Sequence, residues 1–545
     1  MRLGSILAAL AAAGAVAGVA APRTVCTITV NSADERESFR RNLPPGDYEF
    51  VELVERGRPD WLASSCHKGI QCDVLVVSGH FAGTEFYSSR PEVTETLKVD
   101  EIERVQCGGS CGLFSRLKEV YLFGCDSLKA EPVRSAMPEV VRELVREGAS
   151  EADARREATA LSERHAESSR DLMRRLFPQV PVIYGFASLA PYGRTAGPLL
   201  DRYFEGAAPG EVGSGVSSER LLALFGPSSM VATSGVREDE PAWAWRAQAC
   251  RFADERTPLS AKVALMHEAL AAGGPDVRMA FPRAEKFFAS LPPAIDSAAG
   301  SELTRLAGDA SARGRYLALT RETSDPALRV RMVSLARAVG WLDAAGQRAE
   351  LAAAIADVMA SRAMGFGEVD LVCGLNEDRA LDPELALFNV SRIPRGTAQE
   401  AARACLGSDA ARREVLRALS SRDEREVQLA QAYLRHRPIV DEAELRSVAL
   451  GVASMPASAG QVRALETIAR QHVADRATFE ALAALYARTR SPAVQRAVAE
   501  IFLRSDRAAL PVPVAETLRR RRLAPAGRDA LIDQLIAALP ARAGS

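Results

Sequence analysis

Two short stretches carry residues able to do nucleophilic chemistry. Val74-Leu75-Val76-Val77 is an apolar run closed by Ser78-Gly79-His80, and Val120-Tyr121-Leu122-Phe123 is another, closed by Gly124-Cys125-Asp126. Four consecutive apolar residues rich in β-branched and aromatic types read as a buried strand. Chemistry in an open parallel sheet collects outside the carboxyl ends of its strands. A histidine ending one strand and a cysteine ending the other are a candidate base and thiol nucleophile. They stand 45 residues apart (125 − 80 = 45), room for a crossover between parallel strands.

Other histidines compete for the role. His165 falls on the apolar stripe of a helical pattern, His67 adjoins Cys66 in a loop, and His267, His436 and His472 lie in helical sequence. Only His80 ends a strand in the same α/β unit as Cys125.

Nine cysteines are present, and the first six, Cys26 to Cys125, crowd into the first quarter of the chain. Disulfides are the leading reading for an exported chain. Cys66/Cys72 and Cys107/Cys111 are the nearest pairs. Free thiols are the second reading. The third is a zinc half-site at Cys107-Gly-Gly-Ser-Cys111, which lacks a clear second pair for four-fold coordination. Cys250, Cys373 and Cys405 sit in helical sequence and are expected to be small buried side chains.

The elements that must position His80 and Cys125 follow from periodicity. Strands are expected at Val25–Val30, Tyr48–Val54, Val74–Val77, Val120–Phe123 and Val180–Tyr184. Helices are expected at 34–41, from Pro138, and from Ser150 to Leu176. Strand–helix alternation with apolar strands implies a mainly parallel sheet with helices on both faces. Arg2 and the Ala/Leu/Gly/Val run Leu3–Ala21 form a signal-peptide pattern, which implies a periplasmic or secreted protein. Past about Ser214, Ala, Leu and Arg dominate and helical periodicity persists. Glu219–Phe225 and Ala242–Phe252 are expected as the first helices of that half. Asp325-Pro326 and Ser491-Pro492 each place a capping residue before a helix-starting proline. Their offset (491 − 325 = 166) corresponds to about four units of HEAT-like length; Asp423–Leu434 looks similar but misses that register. The expected organisation is thus 1–21 signal peptide, 22–206 α/β domain, 207–218 linker, and 219–545 an all-α, HEAT-like solenoid or helical bundle.

With 69 basic and 70 acidic residues, a net charge of −1 gives no electrostatic case for nucleic acid or an anionic membrane. After Ala21 no stretch approaches a membrane span. No cofactor or metal is called for.

The strand-ending His80 and Cys125 resemble the caspase-like cysteine peptidases, a group including caspases, gingipains, separase and the CHAT domains. There a histidine follows one hydrophobic strand and the cysteine the next, about 50 residues on in caspases. The likeness covers about Thr24 to Gly206. Ser-Gly-His at 78–80 and Gly-Cys at 124–125 look most like the CHAT branch. One position departs: Phe81 stands where the group usually has glycine, and Gly83 follows two residues later. The resemblance implies a cysteine endopeptidase acting on a protein or peptide, with Cys125 as nucleophile and His80 as proton donor to the leaving amine. Backbone amides at Gly79, Phe81, Gly83 and Gly124–Cys125 would hold the oxyanion. Glu85, Asp126 and Ser188 are candidates for a substrate pocket. The helical half would bind substrate or a protein partner. The other expectation is an inactive peptidase-like domain in a binding scaffold; Phe81 favours it, and the intact His80 and Cys125 oppose it.

Overall fold

The computed structural model describes residues 21–539, apart from 59, 91–92, 109–110, 131–167, 207–209, 273, 362–363, 387–395, 472 and 506–509. The Leu3–Ala20 run, the helix from Pro138, the first part of the helix from Ser150, His165 and His472 lie outside the described residues. So does part of the expected 207–218 linker.

Described residues up to Leu265 form one compact unit, and those from Met266 onward a second. The first is an N-terminal α/β domain. Its strands are β1 (Arg23–Thr29), β2 (Tyr48–Glu52), β3 (Val74–Ser78), β4 (His80–Phe81), β5 (Glu85–Tyr87), β6 (Leu97–Lys98), β7 (Glu119–Phe123), β8 (Val182–Phe186) and β9 (Met230–Thr233). Six of them form one sheet in the order β2-β1-β3-β7-β8-β9. Every neighbouring pair is parallel except β8–β9. Strands β4, β5 and β6 make a separate small antiparallel sheet. All five strands expected from the apolar runs exist. The fifth begins at Val182, because Pro181 has no N–H to give to the ladder.

Among its described residues this unit has helices α1 (Asp34–Asn42), α2 (Trp61–His67), α3 (Val99–Cys107), α4 (Ser169–Leu176), α5 (Gly193–Phe204), α6 (Glu219–Phe225) and α7 (Ala242–Ala253). The strict alternation of β3 and β7 divides their side chains between two cores. Val74, Val76, Tyr121 and Phe123 meet Phe39 of α1, Leu200 and Tyr203 of α5, and Phe225 of α6. Leu75, Val77, Val120 and Leu122 meet Trp61 of α2, Ile102 of α3 and Leu172 of α4. Runs of four apolar residues are what a strand buried on both faces requires.

The α/β unit extends well beyond Gly206. Val212 is buried, and Gly215 N–H donates to Glu119 at 3.0 Å, so the segment expected as a linker packs on the sheet. Helix α6 covers one face, β9 is the sixth strand, and α7 is tied to α3 by Cys107–Cys250. The segments 219–225 and 242–253 are helical as expected, but they belong to this unit.

Four disulfides occur: Cys26–Cys72, Cys66–Cys111, Cys107–Cys250 and Cys373–Cys405. Neither nearest-neighbour pair forms, because parallel strands and their flanking helices bring together cysteines far apart in sequence. Cys26 and Cys72, for instance, lie at neighbouring strands β1 and β3. Cys250, Cys373 and Cys405 are bonded pairs and not plain core thiols. Such a set belongs to an oxidising, extracytoplasmic compartment. Among the described residues no helix is long and apolar enough to cross a membrane.

Among the described residues from Ala242 to Ala538 the chain is mostly helical, with about eighteen helices packed in pairs. Caps Ser408, Asp441 and Asp475 begin helices of one layer, and Asp423, Ser458 and Ser491 those of the other. Each series recurs about every 34 residues, a two-helix unit shorter than the HEAT length. The 166 residues from Asp325 to Ser491 therefore correspond to about five units, and Asp423 falls in register after all. Ion pairs join successive units, as Arg446–Asp475 at 2.6 Å and Arg496–Asp529 at 3.0 Å. Cys373–Cys405 staples the helices Phe366–Leu375 and Thr397–Cys405.

With eight of nine cysteines paired, thiol titration of the denatured, unreduced protein should give one reactive group per chain. Non-reducing peptide mapping should recover the four pairs above. Two or more free thiols would contradict this pairing.

Candidate functional site

The site is built on the rung between β3 and β7. Ser78 pairs with Phe123, and the Gly79 N–H donates to the Phe123 carbonyl at 3.2 Å. His80 and Cys125 each stand two residues beyond that rung, so one rim of the sheet carries both. Val30 and Asn31 N–H groups both donate to the Ser78 carbonyl, which fixes the end of β1 to the same rim. The chain runs from β1 to β2 on one side and to β3 on the other. The crevice at such a reversal is where open α/β sheets place ligands.

Two glycines permit this geometry. A Cβ on Gly79 would lie 2.4 Å from Val30 Cγ2. One on Gly124 would lie 2.9 Å from Phe81 Cβ and 3.0 Å from the Gly79 carbonyl oxygen. Past Gly79 the chain leaves the parallel sheet. His80 pairs with Tyr87 and Phe81 with Phe86 in the small antiparallel sheet. The half-buried His80 ring lies 5.5 Å from the Tyr87 ring. Phe81 is buried, its ring 4.6 Å from that of Phe86, so its side chain belongs to the core.

Cys125 is half-buried and is the one free cysteine. Its Sγ accepts the Ala190 N–H at 3.3 Å. Continuing the alternation from Tyr121 and Phe123, Cys125 falls on the face covered by α1 and α5, and Ala190 lies three residues before α5. Asp126 adopts a left-handed backbone, φ 56°, and its N–H donates to the Ser188 carbonyl at 2.7 Å. The fully buried Ser127 accepts the Phe186 N–H at 3.1 Å. The turn after Cys125 is thus pinned to the end of β8.

One of the expected backbone donors is committed. Gly79 N–H is spent on Phe123. Gly83, at φ 91°, makes the hairpin turn that the Ala82 N–H closes on the Glu85 carbonyl at 3.0 Å. No partner among the described residues takes the Cys125 N–H, which is available as a donor for an oxyanion. The pocket candidates separate. Asp126 is on the rim and faces Lys129 at 3.5 Å. Ser188, also on the rim, is exposed with its hydroxyl on Ser229. Glu85 is half-buried on β5, opposite Lys98 in the small sheet.

Three features of the rim had no sequence expectation: the Ala190 N–H, the start of α5, and Glu35 in the first turn of α1. The Glu35 side chain is buried and lies against Ser78 and Ser32; burial pushes its pKa up to about 7. Its one sequence signal is a place four residues before Phe39 on the buried stripe of its helix.

No family model, curated protein or solved structure matches this chain. Its class is therefore defined by architecture: an N-terminal α/β domain with a mainly parallel six-stranded sheet, followed by a long all-helical region.

Gly124→Ala should destabilise the α/β unit by about 1–3 kcal/mol, the range for overpacking against atoms that cannot move aside. Urea unfolding measures this. An unchanged midpoint would mean that the β3–β7 approach is looser than described.

Proposed function

We propose that this chain is an exported cysteine endopeptidase of the caspase-like, CHAT-like type, working through His80 and Cys125. The supporting observation is the in-register pairing of β3 and β7, which carries both residues to one rim. That Cys125 is free while the other eight cysteines are bonded agrees with it. On this reading the Cys125 thiolate attacks the scissile carbonyl and a C–S bond forms. The oxyanion receives the Cys125 N–H. The C–N bond breaks as His80 passes a proton to the leaving amine. Water, giving its proton to His80, then hydrolyses the thioester and releases a carboxylic acid and the thiol. The helical region, with the extended surface that stacked helix pairs create, would bind the protein substrate or a partner. Phe81 favours a second reading, an inactive domain in a binding scaffold, because the group's usual glycine is replaced by a core side chain.

Cys125→Ala and His80→Ala should each abolish peptide cleavage and leave the thermal unfolding midpoint nearly unchanged. A thiol-directed peptide probe should label wild type and not His80→Ala. Equal labelling of both would hand the case to the scaffold.

Export to the periplasm or beyond the cell rests on the Leu3–Ala21 run. N-terminal sequencing of the native protein should find a chain starting near Gly18 or Pro22. Intact Met1 on soluble cytoplasmic protein would exclude export.

A further inference from the structure

Leu189 and Tyr192 have no role in the mechanism above. Both stand in the turn that leads from β8 into α5. They are 75% and 69% exposed, the two most exposed large apolar side chains described in the α/β unit. A lone surface leucine is ordinary. What sets this pair apart is Ala190 between them, whose N–H donates to the Cys125 sulfur at 3.3 Å. The apolar pair is therefore joined directly to the one free thiol.

We propose that Leu189 and Tyr192 are specificity-determining residues of this rim, selecting peptides with a large apolar side chain on the acyl side of the scissile bond. The inference rests on the reading of Cys125 as a nucleophile toward a peptide carbonyl. Strand order sets the direction. In the sheet β7 lies between β3 and β8. His80 follows β3 on one side of Cys125, and the Leu189–Tyr192 turn follows β8 on the other. The amine leaves toward His80, so the acyl part that stays on sulfur extends toward the turn.

Distances allow the contact. A carbonyl carbon must come within about 3–3.5 Å of the sulfur to react. Ala190 already touches that sulfur, and successive Cα atoms are about 3.8 Å apart. An extended peptide advances about 3.3 Å per residue, so the side chains of the first two or so acyl-side residues fall on Leu189 and Tyr192.

The turn is exposed yet fixed. The Ser188 carbonyl accepts the Asp126 N–H at 2.7 Å, and the Ser188 hydroxyl meets that of Ser229. The Ala187 N–H donates to the Ser229 carbonyl at 3.0 Å. At the far end the Tyr192 carbonyl accepts the Thr195 and Ala196 N–H groups at 2.8 and 2.9 Å. A surface held in place before binding loses little freedom when it is covered. Its charges disfavour a basic occupant. The Arg194 guanidinium lies 5.7 Å over the Tyr192 ring, and Asp126 on the rim already faces Lys129 at 3.5 Å.

The test uses peptidyl acyloxymethyl ketones, which carry acyl-side residues alone and alkylate a thiol with loss of a carboxylate. Three probes differ at the residue next to the ketone: phenylalanine, glycine or lysine. Labelling of Cys125 is followed by intact mass on the full chain, in wild type, Leu189→Ser, Tyr192→Ser and the double variant. Each rate is divided by that of iodoacetamide on the same protein, so that any change in the thiol itself cancels. The phenylalanine probe should label wild type roughly ten- to hundredfold faster than the glycine or lysine probe, as covering one large apolar side chain implies. Each single variant should lose part of that preference and the double variant nearly all of it. Equal rates for the three probes on wild type overturn the proposal, and so does a preference that survives in the double variant. Labelling by iodoacetamide and by none of the peptide probes overturns it as well. A preference that the double variant loses, in a chain that cleaves no peptide, would sink the peptidase reading and leave this rim as a peptide-binding surface. An active peptidase indifferent to the acyl-side residue would do the reverse.

Discussion

The close approach of two strand ends governs the α/β unit. A Cβ on Gly79 would meet Val30 and one on Gly124 would meet Phe81 and the Gly79 carbonyl, so neither has room for a side chain, and the Gly79 N–H closes the ladder on Phe123. Everything chemical at the rim is counted from that rung. A one-residue slip of β7 against β3 would exchange the two faces of β7, burying the Cys125 side against α3 and α4 instead of α1 and α5. Both strands are buried on both faces with different partners. Val76 and Tyr121 fit the aromatic core with Phe39, while Val77 and Leu122 fit the core with Trp61. The register is therefore specified by packing, and the rim inherits it.

The strands were legible because doubly buried strands must be continuous apolar runs. His80 and Cys125 stood out because each follows such a run directly. The disulfides were not legible, because pairing depends on which strands and helices become neighbours. Cys107 and Cys250 are 143 residues apart and meet only once α7 packs on α3. The end of the domain was hidden for a related reason. Strand β9, Met230–Thr233, is four residues long and only partly buried, too short to interrupt a helical pattern. In the helical half the amphipathic helices were plain. Their period was not, since two Pro-started helices do not reveal how many units lie between them. Caps Asp423, Ser458 and Ser491, taken together, do.

Phe81 is where packing and chemistry meet. A glycine after the histidine would leave a flexible backbone there. The aromatic residue anchors the chain as it turns from a parallel sheet into an antiparallel hairpin, with Phe81 against Phe86 and His80 beside Tyr87. That ties the imidazole to the core through its own backbone and limits its freedom at the rim. The cost falls on oxyanion binding, since the Gly79 and Ala82 amides are drawn into the ladder and the turn. The departure from the peptidase pattern at Phe81 therefore has a structural cause in the packing of the small sheet.

The thiol's surroundings carry the argument one step further. In a compartment where eight cysteines are oxidised, a ninth stays reduced only if no partner can reach it. Cys125 is kept apart by position: it stands at the carboxyl rim, pinned between the ends of β3 and β8. The pairs that Cys72, Cys107 and Cys111 join lie elsewhere in the unit, beside strand starts and helix ends. Its sulfur nonetheless has a polar contact, the Ala190 N–H. A buried structural cysteine would sit among apolar side chains and gain nothing from such donors. A thiol that is isolated from exchange, half-exposed and given an N–H donor has the access that the proposed nucleophilic role asks of it.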